Sequence, residues 1–264
     1  MLKVEHLSKT FFPGSVNEKK ALLDVNLDME PGDFITVIGG NGAGKSTLLN
    51  SIAGVFPIDK GTIVIDGQNI TKLAEHQRAK YIGRVFQDPL LGTAAGMMIE
   101  ENLGIAARRG KSPGFAWALR DEEREKYKTM LAELDLGLEE RLTARVGTLS
   151  GGQRQALTLL MATLTKPKLL LLDEHTAALD PKTAEKVLNL TQRIVDRNKL
   201  TTLMITHNMK DALHFGNRLI MMNAGRIVVD VKGEEKSKLN ISDLLNLFER
   251  AAGEALDNDR MLLG

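Results

Sequence analysis

A short apolar segment followed at once by a glycine-rich loop constrains the fold of this chain more than any other feature. The segment Phe34-Ile35-Thr36-Val37-Ile38 does not alternate polar with apolar residues, which predicts a strand buried on both faces, as in a parallel sheet. The loop that follows fits the pattern G-x-x-x-x-G-K-[ST] and reads Gly39-Gly40-Asn41-Gly42-Ala43-Gly44-Lys45-Ser46-Thr47. A strand, such a loop and a helix in succession require an α/β architecture.

The glycine-rich loop has the composition of a phosphate-binding site. Glycines let the backbone curl so that successive N–H groups point at phosphate oxygens, and the following helix presents its positive end there. We predict that Lys45 reaches the β- and γ-phosphates and that the Ser46 hydroxyl binds Mg²⁺. The alternative is a glycine-rich turn that ends in a solvated lysine. The residues predicted to bind nucleotide here are Gly39, Asn41, Gly42, Ala43, Gly44, Lys45, Ser46 and Thr47.

Two carboxylates follow a second apolar segment, Leu169-Leu170-Leu171-Leu172. Asp173 and Glu174 come where a strand of this kind ends, and open α/β sheets bind their ligands at that end of their strands. Asp173 suits the shell of a Mg²⁺ ion, and Glu174 is placed to polarise an attacking water as a general base. The alternative is that both residues only begin a helix and favour its dipole.

The segment Leu149-Ser150-Gly151-Gly152-Gln153 admits two interpretations. Ser150 and Gln153 form a capping box, so the segment could simply begin a helix. Gly151 and Gly152, however, leave the amides of the first turn uncovered, which predicts a second anion-binding helix terminus made by Ser150, Gly151, Gly152 and Gln153. Two anion sites in one chain suggest that two subunits serve the same nucleotide, although spacing alone leaves this open.

Composition narrows the possible classes of protein. A chain of 264 residues with 43% hydrophobic residues can bury a substantial core, and a formal charge of +1 gives no reason to expect a nucleic-acid partner. The chain has no cysteine, which excludes a disulfide framework and a thiol nucleophile. Its most apolar stretch, from Leu157 to Leu172, is interrupted well short of the roughly 20 apolar residues of a spanning helix. We therefore expect no bilayer crossing by this chain alone.

The order of predicted elements divides the chain into a core and an insertion. Strands are predicted near the N-terminus, at the alternating Leu23, Val25, Leu27 and Met29, and at 61–67, where they form a small antiparallel layer. Residues 88–148 follow helical spacing and include a basic loop at 108–114, interpreted as a solvated linker. Strands then return at 169–172 and 201–206, followed by a hairpin at 219–229 and a helical tail. We predict a core from 1–87 and 149–264, and a helical subdomain from 88–148.

Taken in order, the loop ending in Lys45-Ser46, the 149–153 segment and Leu172-Asp173-Glu174 resemble the Walker A, signature and Walker B motifs of ABC-type ATPases. The resemblance extends from about Leu2 to Val229. It implies that Phe11 stacks on adenine, although a core position or a role shared with Phe12 stays open. It further implies that Gln87 joins the core to the helical region and contacts the metal, that Ala178-Leu179-Asp180 is the D-loop and that His207 is the switch histidine. His175 stands where the family often has proline, and Ala178 where it often has serine.

The resemblance implies a P-loop NTPase core with a RecA-like mixed sheet, an N-terminal antiparallel β layer and a helical insertion. It also implies that ATP and Mg²⁺ are held in a head-to-tail dimer with a second copy or a homologous ATPase subunit. Glu174, His207, Gln87 and Lys45 would be catalytic, and Ser46, Gln87 and Asp173 would hold the metal. The further partners implied are integral membrane permease subunits and an extracytoplasmic solute-binding protein.

The implied location is peripheral, on the cytoplasmic face of the cell membrane. The function implied is coupling of ATP hydrolysis to import of an amino acid or similar small solute. A soluble ABC ATPase, such as one of iron–sulfur cluster assembly, and an exporter-associated ATPase are the alternatives that the sequence leaves open.

Overall fold

The computed structural model of the protein describes residues 1–111 and 120–250, which group into two compact units. The first unit is made of Met1–Glu75 and the chain from Thr201 onward, and the second of His76–Leu200. In chain order the elements are β1 (Leu2–Phe11), β2 (Lys19–Met29), β3 (Phe34–Ile38), α1 (Lys45–Ala53), β4 (Lys60–Ile65), β5 (Gln68–Asn69), α2 (Glu75–Arg78), β6 (Ile82–Val85), α3 (Ile99–Ala107), α4 (Asp121–Ala132), α5 (Gly151–Thr163), β7 (Leu169–Asp173), α6 (Pro181–Asn198), β8 (Thr201–Ile205), α7 (Met209–His214), β9 (Arg218–Asn223), β10 (Arg226–Lys232) and α8 (Glu234–Lys238).

The first unit contains the predicted antiparallel layer. Its strands lie in the order β2-β1-β4-β5, and all neighbouring pairs are antiparallel. The alternation of β2 holds from Val25 to Met29 but not at Leu23, which is only half-buried while Leu22 is fully buried. Asp24 has a φ of 53°, and the register of the ladder with β1 shifts near it, so the inward face changes at this residue. The inclusion of Leu23 in the alternating face is therefore wrong.

Strand β3 is the centre of the first unit's other sheet. It lies between β8 and β9 and is parallel to both, and all five of its residues are buried. This confirms the prediction of a strand covered on both faces. Strands β9 and β10 form the predicted antiparallel hairpin, which turns through Ala224 and Gly225, both with positive φ.

The C-terminal part of the first unit packs onto this sheet. Residues 241–250 are helical, as predicted for the tail, and Leu244 is buried in a cluster with Ile38, Leu219 and Val231. The Lys236 ammonium donates hydrogen bonds to the carbonyl oxygens of Phe215 and Gly216, and burial lowers its pKa to about 8.

The second unit contains the parallel pair β6 and β7, with Ile82 beside Leu169 and Val85 beside Leu172. Among the described residues of the 88–148 segment the regular elements are helical, and Met98 and Arg145 form an isolated bridge. In the described part of the basic loop, Arg109 donates to the carbonyl oxygens of Met161 and Ala162 at 3.2 Å each. Arg109 thus contacts the end of α5, which a solvated linker does not do; residues 112–114 of this loop lie outside the described residues. The boundaries of the predicted helical subdomain stay a prediction.

Both units combine helices with strands, and parallel and antiparallel ladders occur side by side in the first unit, as a mixed α/β core requires. In the parts of the chain that the structure describes, no helix has the length and apolar character needed to cross a membrane.

Candidate functional site

The glycine-rich loop of the first unit connects β3 to α1. Gly42 and Gly44 have φ values of 80° and 100°, which are in the left-handed region that glycine favours. At Gly44 an added Cβ would lie 2.6 Å from the carbonyl oxygen of Ala21, so this position has no room for a side chain. The left-handed backbone at these glycines lets the loop curl into the first turn of α1, which is the arrangement that phosphate-binding loops use.

Lys45 is the buried cation of this loop. Its side chain is largely inaccessible to solvent, and Nζ donates to the carbonyl oxygens of Gly39 at 2.8 Å and Gly40 at 3.2 Å. The ammonium therefore lies within the curve of the loop, while Ser46, the next residue of α1, is exposed. The site therefore fits a nucleoside triphosphate with Mg²⁺, since it combines a left-handed glycine backbone, a buried ammonium and a hydroxyl at a helix N-terminus.

The turn of the β9–β10 hairpin is hydrogen-bonded to this loop. Gly225 donates its N–H to the carbonyl of Ala43 at 3.0 Å, and its own carbonyl accepts from Leu23 N at 2.9 Å. One glycine therefore connects the phosphate loop to strand β2. This contact gives no signal in the sequence, because the hairpin and the loop are far apart along the chain.

Phe11 is the last residue of β1 and Phe12 follows it, and the two side chains are in different environments. The Phe11 ring is half-buried and meets Phe56 edge to face, with centroids 5.2 Å apart, while the Lys9 ammonium lies 5.6 Å from the Phe11 centroid. Phe12 is 69% exposed.

The first unit also holds His207, which follows β8 and is exposed. Asn208, the next residue, caps α7 by accepting from Lys210 N at 2.9 Å.

The second unit carries the predicted carboxylates. Asp173 is the last residue of β7, and its Oδ2 lies 3.8 Å from Nη2 of Arg84 on the neighbouring strand. The Arg84 guanidinium also covers the Phe86 ring, 4.5 Å from its centroid. Glu174 follows with a φ of 44°, a backbone conformation that non-glycine residues seldom adopt. Arg84 was missed because a single arginine in a strand gives no sequence signal.

Gln87 is exposed just beyond β6, and the residue before it is held by helix α5. The carbonyl oxygen of Phe86 accepts a hydrogen bond of 3.1 Å from Nε2 of Gln155, whose side chain is fully buried. Because Gln155 belongs to α5, whose N-cap is Ser150, this hydrogen bond ties the backbone just before Gln87 to that helix. Gln155 could not be identified from the sequence, since a glutamine within an amphipathic helix is usually a surface residue.

The predicted capping box at the start of α5 is confirmed. Ser150 Oγ accepts from Gln153 N at 3.2 Å, and Gln153 Oε1 accepts from Ser150 N at 3.1 Å. Gly151 is exposed and lies against Leu179 of the predicted D-loop, whereas Gly152 is buried against Thr183 of α6. The expectation that both glycines leave the first turn uncovered therefore holds at Gly151 but is wrong at Gly152, which α6 covers, and Gln153 N is already bonded within the cap.

Between β7 and α6 the chain passes through His175 and Asp180. His175 is 2% exposed, its Nε2 lies 3.0 Å from Thr191 Oγ1 on α6, and burial lowers its pKa to about 4. Asp180 caps α6 by accepting from Thr183 N at 3.1 Å, and this hydrogen bonding to Thr183 lowers the pKa of its carboxyl. Both contacts fix the segment that contains Glu174 and the predicted D-loop onto helix α6.

Comparison with known proteins identifies the family. The family model described as ABC transporter matches residues 22–177, more than half of the chain. A tyrosine transport ATP-binding protein of Clostridioides difficile is 46% identical over 252 residues, which cover 95% of this chain and 100% of that protein. A phosphonates import ATP-binding protein of Lactobacillus acidophilus is 33% identical and aligns over 93% of this chain and 95% of its own length.

Solved structures agree with this assignment. The ADP conformation of an ATP-binding cassette of an ABC transporter has a TM-score of 0.77 and 29% identity, with 94% of this chain and 98% of that chain covered. A dimeric ATP-binding cassette in a post-hydrolysis state, bound to ADP and Pi, has a TM-score of 0.74 and 28% identity, with coverage of 88% and 98%.

The chain belongs to the ABC transporter family. It is an ATP-binding subunit that hydrolyses ATP with Mg²⁺ as cofactor, and its fold is the mixed α/β P-loop fold of those cassettes. The relatives support an ATPase of the importer type.

Proposed function

We propose that this chain couples ATP hydrolysis to the import of an amino acid or a similar small solute through a separate membrane permease. The observation that carries the proposal is the 46% identity to a tyrosine transport ATP-binding protein over that protein's whole length, against 33% for relatives named for phosphonates. An amino acid of the tyrosine type is therefore the first solute to test. The proposed location is peripheral, on the cytoplasmic face of the membrane, with an extracytoplasmic solute-binding protein as a further partner.

We propose the following roles for the site residues. Lys45 neutralises charge on the β- and γ-phosphates, and the loop amides from Gly39 to Thr47 bind the phosphate oxygens, while Phe11 stacks on the adenine ring. Ser46, Asp173 and Gln87 would hold Mg²⁺, which supplies neutralisation of phosphate charge when bound. Mg²⁺ prefers hard oxygen donors of this kind, and its sites usually combine one or two carboxylates, here Asp173, with oxygens of the substrate phosphates.

We propose Glu174 as the general base that takes a proton from the attacking water, and His207 and Gln87 as residues that respond to the γ-phosphate. The first turn of α5, with Ser150, Gly151, Gly152 and Gln153, would close on the γ-phosphate held by a second ATPase subunit in a head-to-tail dimer. The 88–148 segment would transmit the resulting motion to the permease. Loss of the γ-phosphate on hydrolysis then removes the contacts that hold the dimer closed.

Uptake measurements test the proposed transport. Cells of the source organism that lack this chain are complemented with the natural protein or with Lys45→Ala, and uptake of radiolabelled tyrosine, phenylalanine, a phosphonate and spermidine is compared. We expect the natural protein alone to restore uptake of an amino acid. Restored uptake of the phosphonate or spermidine instead would overturn the amino-acid proposal. If the natural protein restores the uptake of no solute but corrects a defect in export or in iron–sulfur cluster assembly, the importer proposal is overturned.

A further inference from the structure

We propose that His175 is a positioning residue for Glu174, because its buried imidazole donates one directed hydrogen bond to Thr191 and so fixes the chain between β7 and α6. The proposal rests on the proposed role of Glu174 as general base. His175, Thr191 and Glu174 all lie in the second compact unit.

The direction of the hydrogen bond follows from the partners of Thr191. A hydroxyl has a single proton, and Thr191 Oγ1 donates it to the carbonyl oxygen of Val187 at 2.8 Å. Towards His175 Nε2, 3.0 Å away, the same oxygen can therefore only accept. The imidazole must carry its proton on Nε2. Both side chains are buried, His175 being 2% and Thr191 1% exposed, so water does not compete for this hydrogen bond.

The backbone of Glu174 needs such an anchor. Its φ of 44° is in the left-handed region, which is unfavourable for a non-glycine residue and persists only where neighbouring contacts impose it. On one side Asp173 ends the buried strand β7, and on the other side His175 is fastened to α6. A turn from Glu174 to Ala177 follows, closed by a hydrogen bond of 2.9 Å from Ala177 N to the Glu174 carbonyl oxygen, and it leads into the predicted D-loop. Together these contacts fix the backbone from which the Glu174 side chain extends.

Three variants separate positioning from mere packing. His175→Leu keeps a buried side chain but removes the donor, His175→Gln retains a side-chain N–H of similar reach, and Thr191→Val removes the acceptor with little change in volume. Each is assayed for steady-state ATP hydrolysis and for binding of a fluorescent ATP analogue, at a temperature where circular dichroism shows it folded. We expect His175→Leu and Thr191→Val each to lower kcat by about tenfold to a hundredfold with KM for ATP within about twofold.

Two further expectations concern coupling. His175→Gln should recover most of the lost kcat, and His175→Leu combined with Thr191→Val should be no slower than either alone, since both remove one interaction. In a Glu174→Gln background His175→Leu should cause no further loss. A rise in KM with unchanged kcat would overturn the positioning role. So would a loss of kcat from His175→Leu that is as large in the Glu174→Gln background as in the natural protein. If Glu174→Gln itself keeps normal turnover, the proposed role of Glu174 fails instead.

Nitrogen-15 NMR of the imidazoles tests the same contact without turnover, and it remains decisive if His175→Leu does not fold. Of the five histidines, the one whose signals are absent in His175→Gln should show the Nε2–H tautomer at pH 8, and Thr191→Val should shift its resonances. An Nδ1–H tautomer at His175, or His175 resonances that Thr191→Val leaves unchanged, would overturn the proposal.

Discussion

Gly152, the second residue of α5, packs directly against the Cγ2 methyl of Thr183 in the first turn of α6. A Cβ added at Gly152 would collide with that methyl. The predicted anion-binding terminus and the helix that follows the D-loop are thus in contact at a point where only glycine fits. The close approach gives Gly152 a structural role besides any role in binding phosphate.

Gly152→Ala should lower the free energy of unfolding by about 1–3 kcal/mol, because an extra methyl in a tight contact forces neighbouring groups apart. Thr183→Ser, which removes the Cγ2 methyl and keeps the hydroxyl, should restore most of this loss when the two are combined. Chemical denaturation of both single variants and of the double variant measures the effect. Equal stability of Gly152→Ala with and without Thr183→Ser would contradict the contact as the cause.

Glu174→Gln should leave ATP binding intact and reduce turnover by about a hundredfold or more, the usual scale for loss of a general base. Because ATP then persists, the variant should accumulate as an ATP-bound dimer detectable by size-exclusion chromatography with light scattering. The control is Glu185→Gln, which removes the same charge from an exposed position on α6 and should keep natural turnover. Near-normal hydrolysis by Glu174→Gln would exclude it as the base.

Phe11→Ala should weaken ATP binding by about fivefold or more, in keeping with the loss of one base-stacking contact. The reason to prefer Phe11 is that Phe56 and Lys9 hold its ring in one orientation, so a base meets an aromatic surface that is already ordered. Phe12→Ala is the matched control and should change ATP affinity by less than about twofold. Titration of a fluorescent nucleotide decides between them, and the reverse order of effects would assign the base to Phe12.

His175 should make stability depend on pH in the acidic range. Its pKa is about 4 in the folded protein against 6.5 for an unperturbed histidine, so the unfolded chain takes up a proton first as pH falls. The contribution of His175 to the free energy of unfolding is therefore fully present above pH 6.5. It is lost as pH falls towards 4, by about 2 kcal/mol between pH 7 and pH 5. His175→Gln should lack this component. Urea unfolding of the natural protein and of His175→Gln at pH 7 and pH 5 measures this component. An equal change in the free energy of unfolding for both proteins would refute the prediction.

Much of the fold could be predicted from the sequence because its signals are local. The unbroken apolar character of Phe34 to Ile38 indicates burial on both faces, and alternation indicates the antiparallel layer. The error at Leu23 has a different origin, since the change of face depends on the left-handed backbone of Asp24 and on the register with β1. Register is a property of two strands, and no single segment encodes it.

The candidate site divides in the same way. Motif residues such as Lys45, Ser150 and Glu174 could be named because their chemistry requires particular residues at fixed spacing. Residues that support them could not: Arg84 beside Asp173 and Gln155 beneath Phe86 act across large sequence separations. His175 was visible only as a departure from a familiar pattern, and its contact with Thr191 depends on how α6 folds back.

The hydrogen bonds of Gly225 to Ala43 and from Leu23 bear on how this family member can change over evolution. A turn that serves only to reverse the chain tolerates insertions, because surface loops lengthen at small entropic cost. Here the turn between β9 and β10 supplies a donor and an acceptor to two other segments, and its glycine leaves no space for a side chain near Ala21. Lengthening this turn by even one residue would displace both bonds, so a homologous subunit with a longer turn would have to hold its phosphate loop by other contacts.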